Sequence, residues 1–368
     1  MFTHRPRVAK EDVRDALAAV RDPDLDLPIT ELDMVRGIVI GRRQVQVGIA
    51  LLVPDSPHRE QLRAAVTRAV EGLGVADVHV DFSHFADDER RALRERLQGG
   101  RPRTPAQAFA GARVLAISSG KGGVGKSSVS VNLAIALAGR DKRVALLDAD
   151  VYGFSIPRMI GIDRRPAIVD NLVIPPRAHG VAVISMAFFT ADEQTPIVWR
   201  GPMLHKALEQ FITDVHWGDV EFLLIDMPPG TGDVALTMAQ FLPNCEVIVV
   251  TTPQAAAQKV AQRAAYMALK VNLTVRGVIE NMSWFTGDDG VRYELFGSGG
   301  GTLLAEQLRV PLLGQIPLVP ALREGGDEGR PVIVADPGSP ASQAFQAIAD
   351  KIIALRPRRV PLPLLNAQ

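Results

Sequence analysis

The period of the apolar positions changes once along the chain. Near the start, K-E-D-V-R-D-A-L-A-A-V puts Val13, Leu17 and Val20 on one face of a helix, which Asp22-Pro23 stops. Met34 to Ile40 and Gln44 to Val53 read as strands joined by a tight G-R-R turn, the second alternating Val45, Val47 and Ile49. Pro57 to Gly72 reads as a helix and Val75 to Phe82 as a third strand. Residues 9–85 therefore predict a small α/β sandwich. Residues 86–110 are highly charged and end in Gly and Pro, the pattern of a solvated helix running into a flexible linker.

From Arg113 the alternation disappears. Strands become unbroken apolar runs: V-L-A-I-S, V-A-L-L-D, V-A-V-I-S, F-L-L-I-D, V-I-V-V-T and V-R-G-V-I. Helical stretches or long loops lie between most of them. A strand that is apolar on both faces is buried on both, which marks a parallel sheet covered by helices. The expected fold class is α/β: a mostly parallel sheet of at least six strands flanked by helices over residues 111–356, preceded by the small α/β domain. The tail, 357–368, holds three prolines and cannot form a stable helix.

Composition narrows the possible partners. The chain has 368 residues, 47% hydrophobic and 22% charged, as expected of a soluble globular protein of two or three domains. Lys plus Arg equals Asp plus Glu at 41 each, so the basic surplus usual in proteins that bind nucleic acid or anionic membrane is missing. The single cysteine, Cys245, excludes a disulfide framework and any intramolecular C-x-x-C site. No apolar run approaches the ~20 residues of a membrane span, and the basic N-terminus has no apolar signal core behind it. The expected address is the cytoplasm.

The chemistry concentrates at V-L-A-I-S-S-G-K-G-G-V-G-K-S-S. Gly120 to Ser127 satisfies G-x-x-x-x-G-K-[ST], placed between a strand and a helix. Gly120, Lys121, Gly122, Gly123, Val124 and Gly125 would aim backbone N–H groups at phosphate oxygens, continuing through Ser127 and Ser128 at the helix start. Lys126 would reach the β- and γ-phosphates, and the Ser127 hydroxyl would bind Mg²⁺. Asp148 and Asp150 follow one buried strand and Asp226 ends another, where carboxylates face the phosphate crevice of an open α/β sheet.

A second lysine, Lys121, follows the first glycine; in another setting it would read as a solvated surface residue. K-G-G-V-G-K-S-S resembles the deviant Walker A loop of the SIMIBI class of P-loop NTPases. That resemblance implies that Lys121 reaches across a homodimer interface to the partner's nucleotide. It implies too that Asp150 positions the attacking water and that Asp226 holds Mg²⁺ ahead of a mobile glycine-rich segment. Asn281 resembles the asparagine that contacts adenine in the class, and the N-K-x-D signature of guanine readers is absent, so ATP is expected.

Longer segments resemble the Mrp/ApbC family of iron–sulfur cluster carrier ATPases: D-A-D-V-Y-G-F-S-I-P-R-M-I-G, W-R-G-P-M, D-M-P-P-G-T-G-D, T-T-P-Q, E-N-M-S-W-F and L-L-G-Q-I-P-L-V-P-A-L-R-E-G-G-D. V-R-D-P-D-L-D-L-P-I-T-E-L-D-M-V is similar to the iron–sulfur assembly domain often fused in front of it. The resemblance implies ATP-controlled dimers that pass a [4Fe–4S] cluster to apoproteins. In that family a C-x-x-C pair just after E-N-M-S-[YW]-F bridges the cluster. Here the loop reads T-G-D-D-G-V-R-Y-E, and the Cys-Pro common in the assembly domain is Ser56-Pro57.

The period-2 pieces around Asp289-Gly290 predict a β-hairpin with an acidic tip. The alternative is that Asp288 and Asp289 of two subunits ligate iron, although such clusters favour thiolates. Cys245 reads as a buried apolar residue. The seven histidines lack metal-ligand spacing; His79 and His84 read as surface residues, the alternative being that they sit close together. Two functions therefore compete. One is an ATP-hydrolysing cluster carrier; the other is an ATP-dependent scaffold of cluster assembly that no longer binds a cluster. A DNA- or membrane-positioning ATPase is disfavoured by the zero net charge and the proline-broken tail.

Overall fold

The period-2 segments of the first hundred residues pair into a small sheet, and the apolar runs after Arg113 pair into a large one. The structure is a computed structural model and describes residues 8–41, 44–54, 56–99, 104–150, 153, 155–189, 201–230 and 233–356. The G-R-R turn and the tail fall partly or wholly outside these residues. The chain divides into two compact units: Met1–Pro102 with Pro166–Pro175 and Asp214–Gly218, and the remainder.

In the smaller unit, helix α1 (Lys10–Leu17) precedes strands β1 (Val35–Ile40) and β2 (Gln44–Leu51), helix α2 (Arg59–Glu71), strand β3 (Asp77–His84) and helix α3 (Asp87–Gln98). β1 is antiparallel to β2, and β2 is parallel to β3 with α2 as the crossover. Alternation in β2 buries Val45, Val47 and Ile49 against Val13 and Leu17 of α1 and Leu62, Val66 and Val70 of α2. Two features depart from the expectation. Helix α3 is not merely solvated: Leu93 is buried in this core, and Arg36 bonds both oxygens of Glu89 at 2.7 and 2.8 Å. A later hairpin also belongs here, contributing Val169, Leu172 and Ile174. Its apolar triplets are too short to register as strands in the sequence.

The larger unit begins with α4 (Pro105–Ala108), β4 (Arg113–Ser119), α5 (Lys126–Ala138), β5 (Val144–Asp148) and α6 (Ile156–Ile160). The hairpin of β6 (Ala167–Val169) and β7 (Leu172–Ile174) then leaves for the smaller unit. β8 (Arg177–Ala178), β9 (Val181–Ser185), α7 (Gly201–Thr213), β10 (Phe222–Asp226), α8 (Asp233–Phe241), β11 (Glu246–Thr251), α9 (Ala255–Lys270) and β12 (Thr274–Glu280) follow. The chain ends with β13 (Phe285–Thr286), β14 (Arg292–Tyr293), α10 (Gly300–Leu308), β15 (Leu312–Gln315), α11 (Pro320–Glu328), α12 (Val332–Ala335) and α13 (Pro340–Ala354).

The large sheet runs β15-β12-β11-β4-β10-β5-β9-β8, parallel throughout except at the β8 edge. All six apolar runs lie in it, joined by β15 and β8. Helix α5 is apolar nearly all round because it is covered on every side, packing on the sheet and on α13. After β4 the chain fills one half of the sheet and then crosses to the other. The carboxyl ends of β4, β5, β10, β11 and β12 therefore share one edge, where such sheets bind ligands.

Candidate functional site

The loop between β4 and α5 depends on two glycines. A Cβ on Gly120 would overlap the backbone of Val260 and Ala261, so α9 can lie on the strand end only if this residue is bare. Gly125 caps α5 at φ +79°, and a Cβ there would overlap the Asn281 amide. Lys126 and Ser127 then open α5, where N–H groups have no intrahelical acceptor.

Asp226 is the centre of the constellation. It is fully buried at the end of β10, level with Ile117 of β4 and Asp148 of β5. Lys126 Nζ donates to its Oδ2 at 2.6 Å and Ser127 Oγ to the same oxygen at 2.7 Å. Asp150 Oδ2 lies 3.6 Å from Lys126 Nζ. The structure thus brings Lys126, Ser127, Asp150 and Asp226 together. Ser127 Oγ beside a carboxylate oxygen is the oxygen donor pair that Mg²⁺ takes next to phosphates, so these residues fit that ion.

Asp148 stands behind this group. It accepts from Ser185 Oγ at 2.9 Å and from the Asp150 N–H at 3.1 Å. Burial, reinforced by the charge of Asp226, pushes its carboxyl up to about 8, against the pull of those hydrogen bonds and of Lys126.

Lys121 is turned to a different partner: its Nζ donates to Gln254 Oε1 at 3.3 Å, and its carbonyl accepts from Ser119 Oγ at 3.1 Å. Asn281 is buried after β12, with Nδ2 donating to Val124 O at 2.9 Å while Oδ1 has no partner. The buried Thr252 hydroxyl, after the neighbouring β11, has none either. Thr252, Gln254 and Ser130, the last donating to Asp226 Oδ1, were not visible as site residues in the sequence. Ser130 had one signal, being polar and one turn past Ser127 on a mostly apolar helix.

The family described as NUBPL iron-transfer P-loop NTPase matches residues 111–353. The chain belongs to that family. Residues 10–82 match the iron–sulfur cluster assembly protein family. An iron–sulfur cluster carrier protein of Mycobacterium tuberculosis (strain ATCC 25618 / H37Rv) is 49% identical over 356 residues, covering 94% of this chain and 93% of the relative. One of Bacillus subtilis (strain 168) is 42% identical over 350 residues, covering 94% and 98%. Among solved structures, the nucleotide-binding protein of Archaeoglobus fulgidus in complex with ADP shares 31% identity over 71% of this chain and 97% of its own, with a TM-score of 0.54. The cell division ATPase MinD of Pyrococcus furiosus shares 25% over 67% and 100%, with a TM-score of 0.50.

This iron-transfer P-loop NTPase forms the expected hairpin where the resemblance puts a C-x-x-C pair. β13 and β14 pair Phe285 with Tyr293 and Thr286 with Arg292. Asp289 closes the turn: Oδ1 accepts from the Val291 N–H at 2.9 Å and Oδ2 from the Tyr293 hydroxyl at 2.6 Å. Those two hydrogen bonds hold its carboxyl below the usual carboxylate range. Arg292 lies over the Trp284 ring, 4.5 Å from its centre. Cys245 is fully buried, and burial pushes its thiol up to about 12. His79 and His84 are both exposed on β3, at odd spacing and so on opposite faces. Among the described residues no group of three or more His, Cys, Asp or Glu could hold a metal ion.

Proposed function

We propose that this protein binds and hydrolyses ATP as a homodimer and uses that cycle to pass an iron–sulfur cluster, its cargo, to apoproteins. The observation that carries the reading is the convergence of Lys126, Ser127 and Asp150 on the buried Asp226 beneath a glycine loop at a helix N-terminus. N–H groups from Gly120 to Ser128 cradle the phosphates. Lys126 exchanges Asp226 for phosphate oxygens, and Asp150 orients water for in-line attack. The Oδ1 of Asn281 awaits the adenine amino group. Mg²⁺ held at Ser127 and Asp226 supplies charge neutralisation, which together with positioning makes up most of the catalysis of phosphoryl transfer. Lys121 leaves Gln254 to meet the nucleotide of a second copy, and the segment from Asp226 to Asp233 relays hydrolysis. Cytoplasmic action fits the absence, among the described residues, of any helix long and apolar enough to cross a membrane.

A second reading is favoured by the hairpin. At its tip Asp289 is committed to its own turn and the one thiol is buried, so a cluster would be held mainly by a partner protein. The chain would then be an ATP-driven scaffold of cluster assembly.

Steady-state ATP hydrolysis tests the first part. Lys126→Ala is expected to lower it about 10²-fold or more, and Lys121→Ala to lower it without weakening nucleotide binding; wild-type rates in Lys126→Ala would sink the proposal. Anaerobic reconstitution with iron and sulfide decides between carrier and scaffold. Near-stoichiometric iron and acid-labile sulfide retained on the dimer after desalting support the carrier, and none retained with ATP turnover intact supports the scaffold.

A further inference from the structure

Asp226 has a third protein neighbour that belongs to neither the glycine-loop motif nor the strand-end carboxylates. Ser130 lies three residues after Ser127 on α5, so the helical period brings both hydroxyls to one side. It is fully buried. Its Oγ donates to Asp226 Oδ1 at 2.6 Å and lies 3.1 Å from the Lys126 carbonyl. A hydroxyl has one proton to give, and the shorter, charge-assisted contact to the carboxylate takes it.

The two oxygens of Asp226 are thereby assigned different tasks. Oδ1 is occupied by Ser130, and Oδ2 alone faces Lys126 Nζ and Ser127 Oγ. The terminal torsion of an aspartate is broad, so a carboxylate held from one side only can rock. Covalent strand geometry fixes where its Cα sits, not where its oxygens point.

We propose that Ser130 is the positioning residue for the Asp226 carboxylate, holding Oδ1 so that Oδ2 is presented to the Mg²⁺ that accompanies ATP. The proposal rests on the ATPase reading given above. Ser130 touches neither the nucleotide nor the reacting atoms; it acts through Asp226. Partners that orient a metal-binding group in this way commonly set metal affinity by about 10–100-fold.

The test is a Mg²⁺ titration of nucleotide binding, read by a fluorescent ADP analogue on the full chain, with the same analogue bound in EDTA as reference. Ser130→Ala is expected to raise the half-saturating Mg²⁺ concentration about tenfold or more while leaving the affinity in EDTA unchanged. Ser130→Thr, which keeps the hydroxyl, should return the Mg²⁺ response to that of the wild type. An unaltered Mg²⁺ response in Ser130→Ala overturns the proposal. So does an equal loss of affinity with and without Mg²⁺, which would mean that Ser130 only supports α5. The alanine variant removes one atom and decides the question even if the added methyl of threonine is not accommodated. Wild-type protein that binds no nucleotide under either condition would instead overturn the ATPase reading, and this proposal with it.

Discussion

At Asp148 two carboxylates face each other across adjacent strands, and the structure answers by keeping one of them protonated. Its carboxyl is raised from 3.8 to about 8, first by burial and then by Asp226. Between those values the native chain holds a proton that the unfolded chain has released, so stability falls as pH rises from ~4 to ~8, by at most about 1.4 kcal/mol per pH unit. Thermal melts of the nucleotide-free protein across that range should show the slope. Asp148→Asn should flatten it and raise the melting temperature at pH 8; a variant with the wild-type slope would contradict the assignment. Lys126 and Ser127 were legible from the fixed spacing of the glycine loop, and Asp150 and Asp226 from their places at strand ends; the structure brings the four side chains together. Ser130 and Thr252 were not legible, because a small hydroxyl in an apolar run has the same appearance whether it bonds a carboxylate, its own backbone or nothing.

The strand–loop–helix unit around Gly120 was readable, since glycines at fixed offsets serve both phosphate approach and the close passage of α9. The hairpin was readable too, from alternation around Asp289-Gly290, although each strand pairs only two residues. Its tip is organised by side-chain bonds from Asp289 to Tyr293 and Val291 rather than by a long ladder. A carboxylate with both oxygens engaged is a poor recruit for iron. Asp289→Ala is therefore expected to leave the iron content after reconstitution unchanged, measured against wild type by colorimetric iron assay. Loss of iron in that variant would restore the alternative of carboxylate ligands. Helix α3 forms where the charged stretch predicts one and is mostly solvated, but it also packs on the core through Leu93. A single inward leucine, Leu93, among charges is enough to seat a helix whose long Arg and Glu chains stay in water.

For the whole molecule, two kinds of strand told two sheets apart: alternating ones in the small unit and continuous apolar ones in the large. What the sequence hid was interleaving. Val169, Leu172 and Ile174 come from deep inside the second region yet complete the first core, and no local pattern announces so distant a partner. A fragment ending at residue 102 would expose the surface those three residues cover. Such a fragment should unfold at lower urea than the same core within the full chain, followed by exchange of β2 amides; equal protection would show that the hairpin adds nothing. The loss of several buried aliphatic side chains implies a cost of some kcal/mol.

The burial of Cys245 also makes the protein unusually easy to instrument. With its sulfur fully buried just before β11 and held as a thiol at any ordinary pH, maleimides and iodoacetamides have nothing to attack on the native chain. A cysteine placed at the hairpin tip would then be the one labelled position. A dye there would report on that loop during a nucleotide cycle, against a background with no reactive sulfur.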